Sequence, residues 1–240
     1  MSRQRFSLDR LCSLSYIGAC VLLAACPRRP GPLVPEPLAP VARDTAAAWT
    51  RATAPPRTVA IRFRWKYRDE RLSGGGRGTA RIAPPDSLRL DYVAILGLAS
   101  GAGVVIGDSI AWAEPSADFR RLVPAVPMLW AALGTVRPPA PDAAVAGRRD
   151  GDGWRWRFTV GADTLEYVTR PGTGAAGREL DAEWRRAGRV VARSAAQLDP
   201  GARPVSGRID FPEGPARFEF TVMGIDTAAV VPPQLWRSRR

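Results

Sequence analysis

Between Val59 and Arg68 the chain reads Val-Ala-Ile-Arg-Phe-Arg-Trp-Lys-Tyr-Arg, with large apolar side chains alternating with small or cationic ones. A period of two sends Val59, Ile61, Phe63, Trp65 and Tyr67 to one side of a strand and Arg62, Arg64, Lys66 and Arg68 to the other. A helix cannot sort residues this way. The pattern demands a sheet with one buried and one solvated face, which antiparallel sheets provide. The same alternation recurs at residues 78–83, 88–93, 104–107, 110–113, 154–158, 164–169, 178–185, 189–196, 205–211 and 217–222. Gly74-Gly75-Gly76, Pro84-Pro85-Asp86, Gly107-Asp108 and Asp150-Gly151-Asp152-Gly153 read as turns between them. About ten or eleven short strands are too many for a flat sheet. The expected fold is mainly β: a curled antiparallel sheet, an unclosed β-barrel, with one or two helices plugging its concave face.

Two segments depart from the strand pattern. Asp44 is placed to cap a short helix over residues 45–53 that carries Trp49 and ends at Pro55-Pro56. In the second, Val126, Leu129, Trp130 and Leu133 share one helical stripe before a stop at Gly134. The spacing fits either a lid over the concave face or a core helix at the barrel end.

The amino terminus decides the compartment. Arg3, Arg5 and Arg10 precede an apolar run from Leu11 to Ala25 of ~15 residues, the length of a signal-peptide core and short of the ~20 that span a bilayer. The run ends in Leu23-Ala24-Ala25-Cys26, which resembles the bacterial lipobox. That resemblance implies cleavage after Ala25 and lipidation of Cys26, an anchor worth ~0.8 kcal/mol per buried methylene. Residues 1–25 are then signal peptide, and 26–43 a proline-rich tether reaching roughly 40 Å if extended. Residues 44–226 form the domain and 227–240 a tail. Cys12 and Cys20 leave with the signal, so no disulfide is expected in the mature chain.

Composition narrows the chemistry. The chain has no histidine, which removes the commonest general base, the Ser-His and Cys-His systems and most zinc or copper sites. Asp86, Asp91, Glu114, Glu166, Asp181 and Glu183 are scattered, and the sequence pairs no two of them. Ser206 has no visible activating base. The Gly74–Gly78 stretch lacks the residues of a phosphate cradle, and Gly97, Gly101 and Gly103 precede no helix. No enzyme, metal or cofactor is expected. The 35 Lys+Arg against 23 Asp+Glu, a formal net charge of +12, favour an anionic membrane surface as partner. Nucleic acid is not expected, because the aromatics and cations of residues 59–68 point to opposite faces and one base could not meet both.

The concave side is the candidate binding surface. Phe63, Trp65 and Tyr67, with Leu129, Trp130, Trp154, Trp156, Phe158, Phe218 and Phe220, would line an apolar cavity able to hold an acyl chain. The alternative is a packed interior in which the same residues only stabilise the fold.

The order of these elements resembles a known family. A lipobox and a Trp-bearing helix are followed by Ser87-Leu88-Arg89-Leu90-Asp91-Tyr92, then Ile95-Leu96-Gly97, then the helical stretch 126–138. Together they look like the LolA/LolB fold of the lipoprotein-localisation proteins, the LolB branch in particular, over most of residues 49–223. The resemblance implies an unclosed barrel whose cavity takes acyl chains of lipids or of lipoproteins handed over by a periplasmic carrier. It also implies membrane contact by Leu96, extended by Ile95 and Leu98. No Asp follows Cys26, which in that pathway favours the outer membrane over the inner. A structural or assembly lipoprotein that binds a protein partner through the same sheet is the alternative.

Overall fold

The computed structural model describes residues 28–34, 36–97, 99–173 and 177–237. Thirteen strands form one antiparallel sheet. In chain order the elements are β1 (Ala39–Pro40), α1 (Arg43–Thr53), β2 (Val59–Arg68), β3 (Ser73–Ala83), β4 (Ser87–Ala94), β5 (Ser100–Ile106) and β6 (Ser109–Glu114). They continue with α2 (Ser116–Leu122), α3 (Val126–Ala132), β7 (Ala144–Asp150), β8 (Gly153–Val160), β9 (Asp163–Pro171) and β10 (Arg178–Arg186). The last are β11 (Arg189–Leu198), β12 (Pro204–Phe211) and β13 (Ala216–Asp226). Across the sheet they run β1-β7-β8-β9-β10-β11-β12-β13-β2-β3-β4-β5-β6, so β1 and β6 are free edges and the barrel is unclosed.

Two meanders, β2–β6 and β7–β13, are joined by the long-range pair β13–β2. Its register sets Trp65 opposite Phe220 and Tyr67 opposite Phe218, which places both aromatic rows on the inner face. The alternation in β2 holds throughout: Val59, Ile61, Phe63, Trp65 and Tyr67 are buried, while Arg62, Arg64, Lys66 and Arg68 are exposed. The chain leaves the sheet at β6, one edge, and re-enters at β7, beside the other. The connection must therefore cross a face, and it crosses the concave one. On the way α2 lies against β5 and β6, and α3 against β10, β11 and β12.

The structure corrects several sequence expectations. There are thirteen strands rather than ten or eleven, because Ala39–Pro40 and Ala144–Asp150, which lack a clear apolar alternation, also pair into the sheet. Gly74–Gly76 is not a turn but part of β3, paired with β2 and β4, where the absence of side chains hid the alternation. Asp44 does not cap α1: the helix begins at Arg43, its N-cap is Ala42, and no side chain caps it. Here Arg43 ties the helix down instead, donating to the Ala140 and Ala143 carbonyls. The turns at Gly107-Asp108 and Asp150–Gly153 stand where expected.

Of the two readings of the second helix, the core one holds. Val126, Met128, Leu129, Trp130, Ala131 and Ala132 of α3 are all buried, not one stripe alone. Gly134 stops it with φ +81°, a conformation few other residues adopt. The helix sits this close because Gly207 on β12 has no side chain: a Cβ there would meet the Ala132 carbonyl and the Phe220 ring.

The proline-rich segment is not a free spacer. Residues 28–34 and 36–40 cross the outer face of β10, β9, β8 and β7 in turn. Arg28 pairs with Glu179 at 2.6 Å and Asp181 at 3.1 Å, and Arg155 donates to the Val34 carbonyl at 2.8 Å. Leu33 is buried, Arg157 donates to the Glu36 carbonyl at 3.1 Å, and Ala39–Pro40 then pair with β7. Prolines cannot donate to a ladder, yet their neighbours' carbonyls still accept, and guanidinium groups on the sheet supply the donors. Beneath the strap Arg155, Glu166, Glu179, Asp181 and Glu183 are buried. At the other flank the tail crosses β4 and β6: Trp112 Nε1 donates to the Trp236 carbonyl at 2.9 Å, and Arg89 to that of Leu235.

Two predictions follow from these contacts. Gly207→Ala should lower unfolding free energy by about 1–3 kcal/mol through overpacking against α3, whereas Gly214→Ala, which has open space around it, should be silent in the same denaturant titration. Burial raises the pKa of Asp181 against the pull of Arg28 and Arg170. Arg28 favours the ionised carboxylates, so its contribution is present at neutral pH and fades as pH falls through that raised pKa. Arg28→Ala should therefore cost about 1–2 kcal/mol at neutral pH, reduced from the fully buried case by partial exposure. The gap to the parent should close on acidification, which parallel denaturation curves would measure.

Candidate functional site

The ten residues expected to line a cavity converge, but as a packed core. Phe63, Trp65, Tyr67, Leu129, Trp130, Trp156, Phe158, Phe218 and Phe220 are buried in one apolar cluster, and Trp154 is half-buried against it. They fall into two aromatic groups. On β2 and β13, Phe63 meets Phe220 with centroids 5.3 Å apart, and Trp65 meets Tyr92 edge-on at 6.1 Å. On β8, Trp154 stacks on Trp156 at 5.4 Å, and Trp156 contacts Trp49 of α1 at 5.6 Å. Such pairs add about 0.5–1.5 kcal/mol beyond simple burial. Trp130 is further fixed by donating Nε1 to the Gly107 carbonyl at 2.9 Å.

Openings remain where the helices fail to cover the sheet. One of about 450 Å3 lies beside the C-terminal ends of α1 and α3, walled by Val59, Ile61, Ile82, Leu133 and Ile225, with Ala52 at its side. Arg57 and Arg203 stand at its rim. Arg203 is held by Asp199 at 2.8 Å, while Arg57 enters no ion pair among the described residues. A smaller opening of about 180 Å3 is lined by Phe158, Leu165, Tyr167 and Trp184. Asp108 borders it, its pKa raised by burial in spite of Arg137. Of the ten expected lining residues, Phe158 alone lines one of these two openings. The walls are aliphatic residues at strand ends, whose inward positions look like any other core position in sequence.

The carboxylates that seemed scattered are in part gathered. Glu166, Asp181 and Glu183 share the outer face of β9 and β10, each held by arginine: Glu166 by Arg157 at 3.0 Å, Asp181 by Arg170 at 2.7 Å, Glu183 by Arg193 at 2.6 Å. They lie under the strap, and their partners fit them to hold it rather than to exchange protons with a substrate. No sequence signal pairs them, since each needs the ladder register to bring it to its neighbour.

The expected membrane tip is a single 3-10 turn, Ile95–Gly97, closed by Gly97 at φ +69°. Ile95 is 65% exposed, and Leu96 belongs to the same turn. Leu98, Ala25 and Cys26 lie outside the described residues.

No protein-family model matches the chain, and no curated protein matches it in sequence. Solved structures do match. The chain is similar to a LolA superfamily protein from Nitrosomonas europaea at 10% identity and a TM-score of 0.50, covering 82% of this chain and 98% of that one. It is also similar, at 6% identity and a TM-score of 0.43, to a domain from Vibrio parahaemolyticus described as that of an outer membrane lipoprotein-sorting protein, covering 80% and 94% of the two chains. The unclosed thirteen-strand sheet with its concave face crossed by helices is thus a LolA-like fold.

Proposed function

We propose that this is a non-enzymatic, lipid-anchored protein of the cell envelope that binds an acyl chain, of a lipid or of a lipoprotein, on the concave side of its sheet. The observation that carries the reading is the 450 Å3 apolar opening beside α1 and α3, which falls in the size range of small-molecule sites. Its aliphatic walls suit a methylene chain, and Arg57 at the rim suits a carboxylate or phosphate head. The fold shared with a LolA superfamily protein supports the same class of ligand. Cys26 supplies the anchor after cleavage behind Ala25, on the periplasmic face of the outer membrane, and Ile95, Leu96 and Leu98 form the tip that touches the bilayer. The aromatic residues named from the sequence pack the core beside this opening rather than line it.

A second reading, an assembly lipoprotein that holds a protein partner, draws on the filled interior: the helices already occupy the concavity. A fluorescent fatty acid titrated into the acyl-free protein separates the two. Saturable binding is expected, and Ala52→Trp, at an exposed helix position beside the opening, should fill it and weaken binding about tenfold or more without loss of stability. A folded protein with no saturable binding would favour the partner-holding reading.

A further inference from the structure

The outer face of the sheet is covered at both flanks and bare in the middle. The proline-rich strap covers β7–β10, and the tail crosses β4 and β6. Between them lie β11, β12, β13, β2 and β3, and on β2 and β3 the outward positions are strongly cationic: Arg62, Arg64, Lys66 and Arg68 on β2, and Arg77, opposite Arg64, on β3. All five are exposed, and among the described residues none of them enters an ion pair. This contrasts with the arginines under the strap, which are matched to carboxylates. The carboxylates that border this area are Glu219, opposite Lys66, and Asp91, which lies opposite Thr79 and is already held by Arg81 and Arg89. Cations lined up opposite one another on adjacent strands repel, and such an array persists unpaired where its counter-charge comes from outside the chain.

The bare area also holds a pair of shallow troughs of about 490 and 470 Å3, which share Arg77 and Val93. Arg64 walls one and Arg62 the other, and Ile95 and Met223 stand exposed at their rims. Guanidinium groups around an apolar-rimmed hollow match the phosphate-and-glycerol region of a lipid surface: planar forks for phosphate oxygens, and apolar side chains for the level just below. The described chain also begins nearby. Arg29, near the start of the described residues and three residues after Cys26 in sequence, lines a cleft with Arg68, Asp69, Glu70, Asp210 and Arg217 beside this face.

We propose that the uncovered middle of the outer face, Arg62, Arg64, Lys66, Arg68 and Arg77 with Ile95 and Met223 at its rim, docks on an anionic phospholipid bilayer. This surface holds the domain flat against the membrane that carries its anchor, and so fixes which way the opening on the other side of the sheet points. It is distinct from the acyl-chain opening and stands without it.

The test uses the chain from residue 26 onward with Cys26→Ser, which keeps every described residue but has no acyl anchor. Co-sedimentation is measured with vesicles of phosphatidylcholine alone and of phosphatidylcholine containing phosphatidylglycerol. Binding should require phosphatidylglycerol and weaken as salt is raised. The triple variant Arg62→Glu, Arg64→Glu, Arg77→Glu should lose about tenfold or more of that binding, since each basic residue near an anionic surface counts for severalfold. A control triple with the same charge change at exposed positions elsewhere, Arg149→Glu, Arg178→Glu, Arg189→Glu, should retain it within about threefold. Equal binding to both vesicle types, or equal loss in both triples, would overturn the proposal. Fatty-acid binding measured on the same triple should be unchanged, which keeps the outcome for this surface separate from that for the opening.

Discussion

The pairing of β13 with β2 is the contact on which the architecture depends. Without it the chain would be two separate meanders, each short of the width needed to enclose anything. With it, the aromatic rows of both strands meet at the centre of the concave face, Trp65 opposite Phe220 and Phe63 opposite Val222. The two strands lie far apart in sequence, so the loop-closure entropy of joining them is recovered only when those side chains are buried together. A bulge between Val222 and Gly224 turns Met223 outward and increases the local twist. That helps a thirteen-strand sheet to curl rather than remain flat.

Once the sheet is joined in this order, the positions of its helices follow. The exit at β6 and re-entry at β7 lie near opposite edges, and a chain linking them has only two faces to cross. The concave face offers apolar surface, and the linker carries apolar residues on every side of α3, so burial selects the concave route. Filling the concavity leaves the two openings described above at the ends of the helices. The 450 Å3 opening is therefore a by-product of where α1 and α3 stop, at Pro55-Pro56 and Gly134.

Much of this was legible in the residues. The alternation of Val59–Arg68 required a two-faced sheet, and the strand count required curvature. What escaped was of two kinds. Glycine-rich Gly74–Gly76 has no side-chain alternation to read, although at Gly75 and Gly76 neighbouring backbone comes too close for a Cβ. The strap was unreadable because proline-rich composition speaks of the backbone's lost donors and says nothing of arginines far along the chain that supply them. Among the candidate binding residues, sequence located the apolar inner face correctly. It could not separate inward positions that pack from those that border space, because Phe63 and Ile82 obey the same periodicity.

The two sides of the sheet obey different rules, and the difference bears on function. Inside, every large side chain has neighbours, and the cost of disorder is a cavity. Outside, charge is balanced under the strap and on β12 and β13, where Asp210 pairs with Arg208 and Arg217, and unbalanced along β2. A guanidinium in water is well solvated, so exposure alone costs little; a row of them in register is another matter, since repulsion adds along β2 and across to Arg77. Pairing with carboxylates was available within this sequence, as Glu166, Asp181 and Glu183 demonstrate a few strands away. The uneven distribution therefore separates a face stabilised by the chain's own termini from one left to meet an external anion.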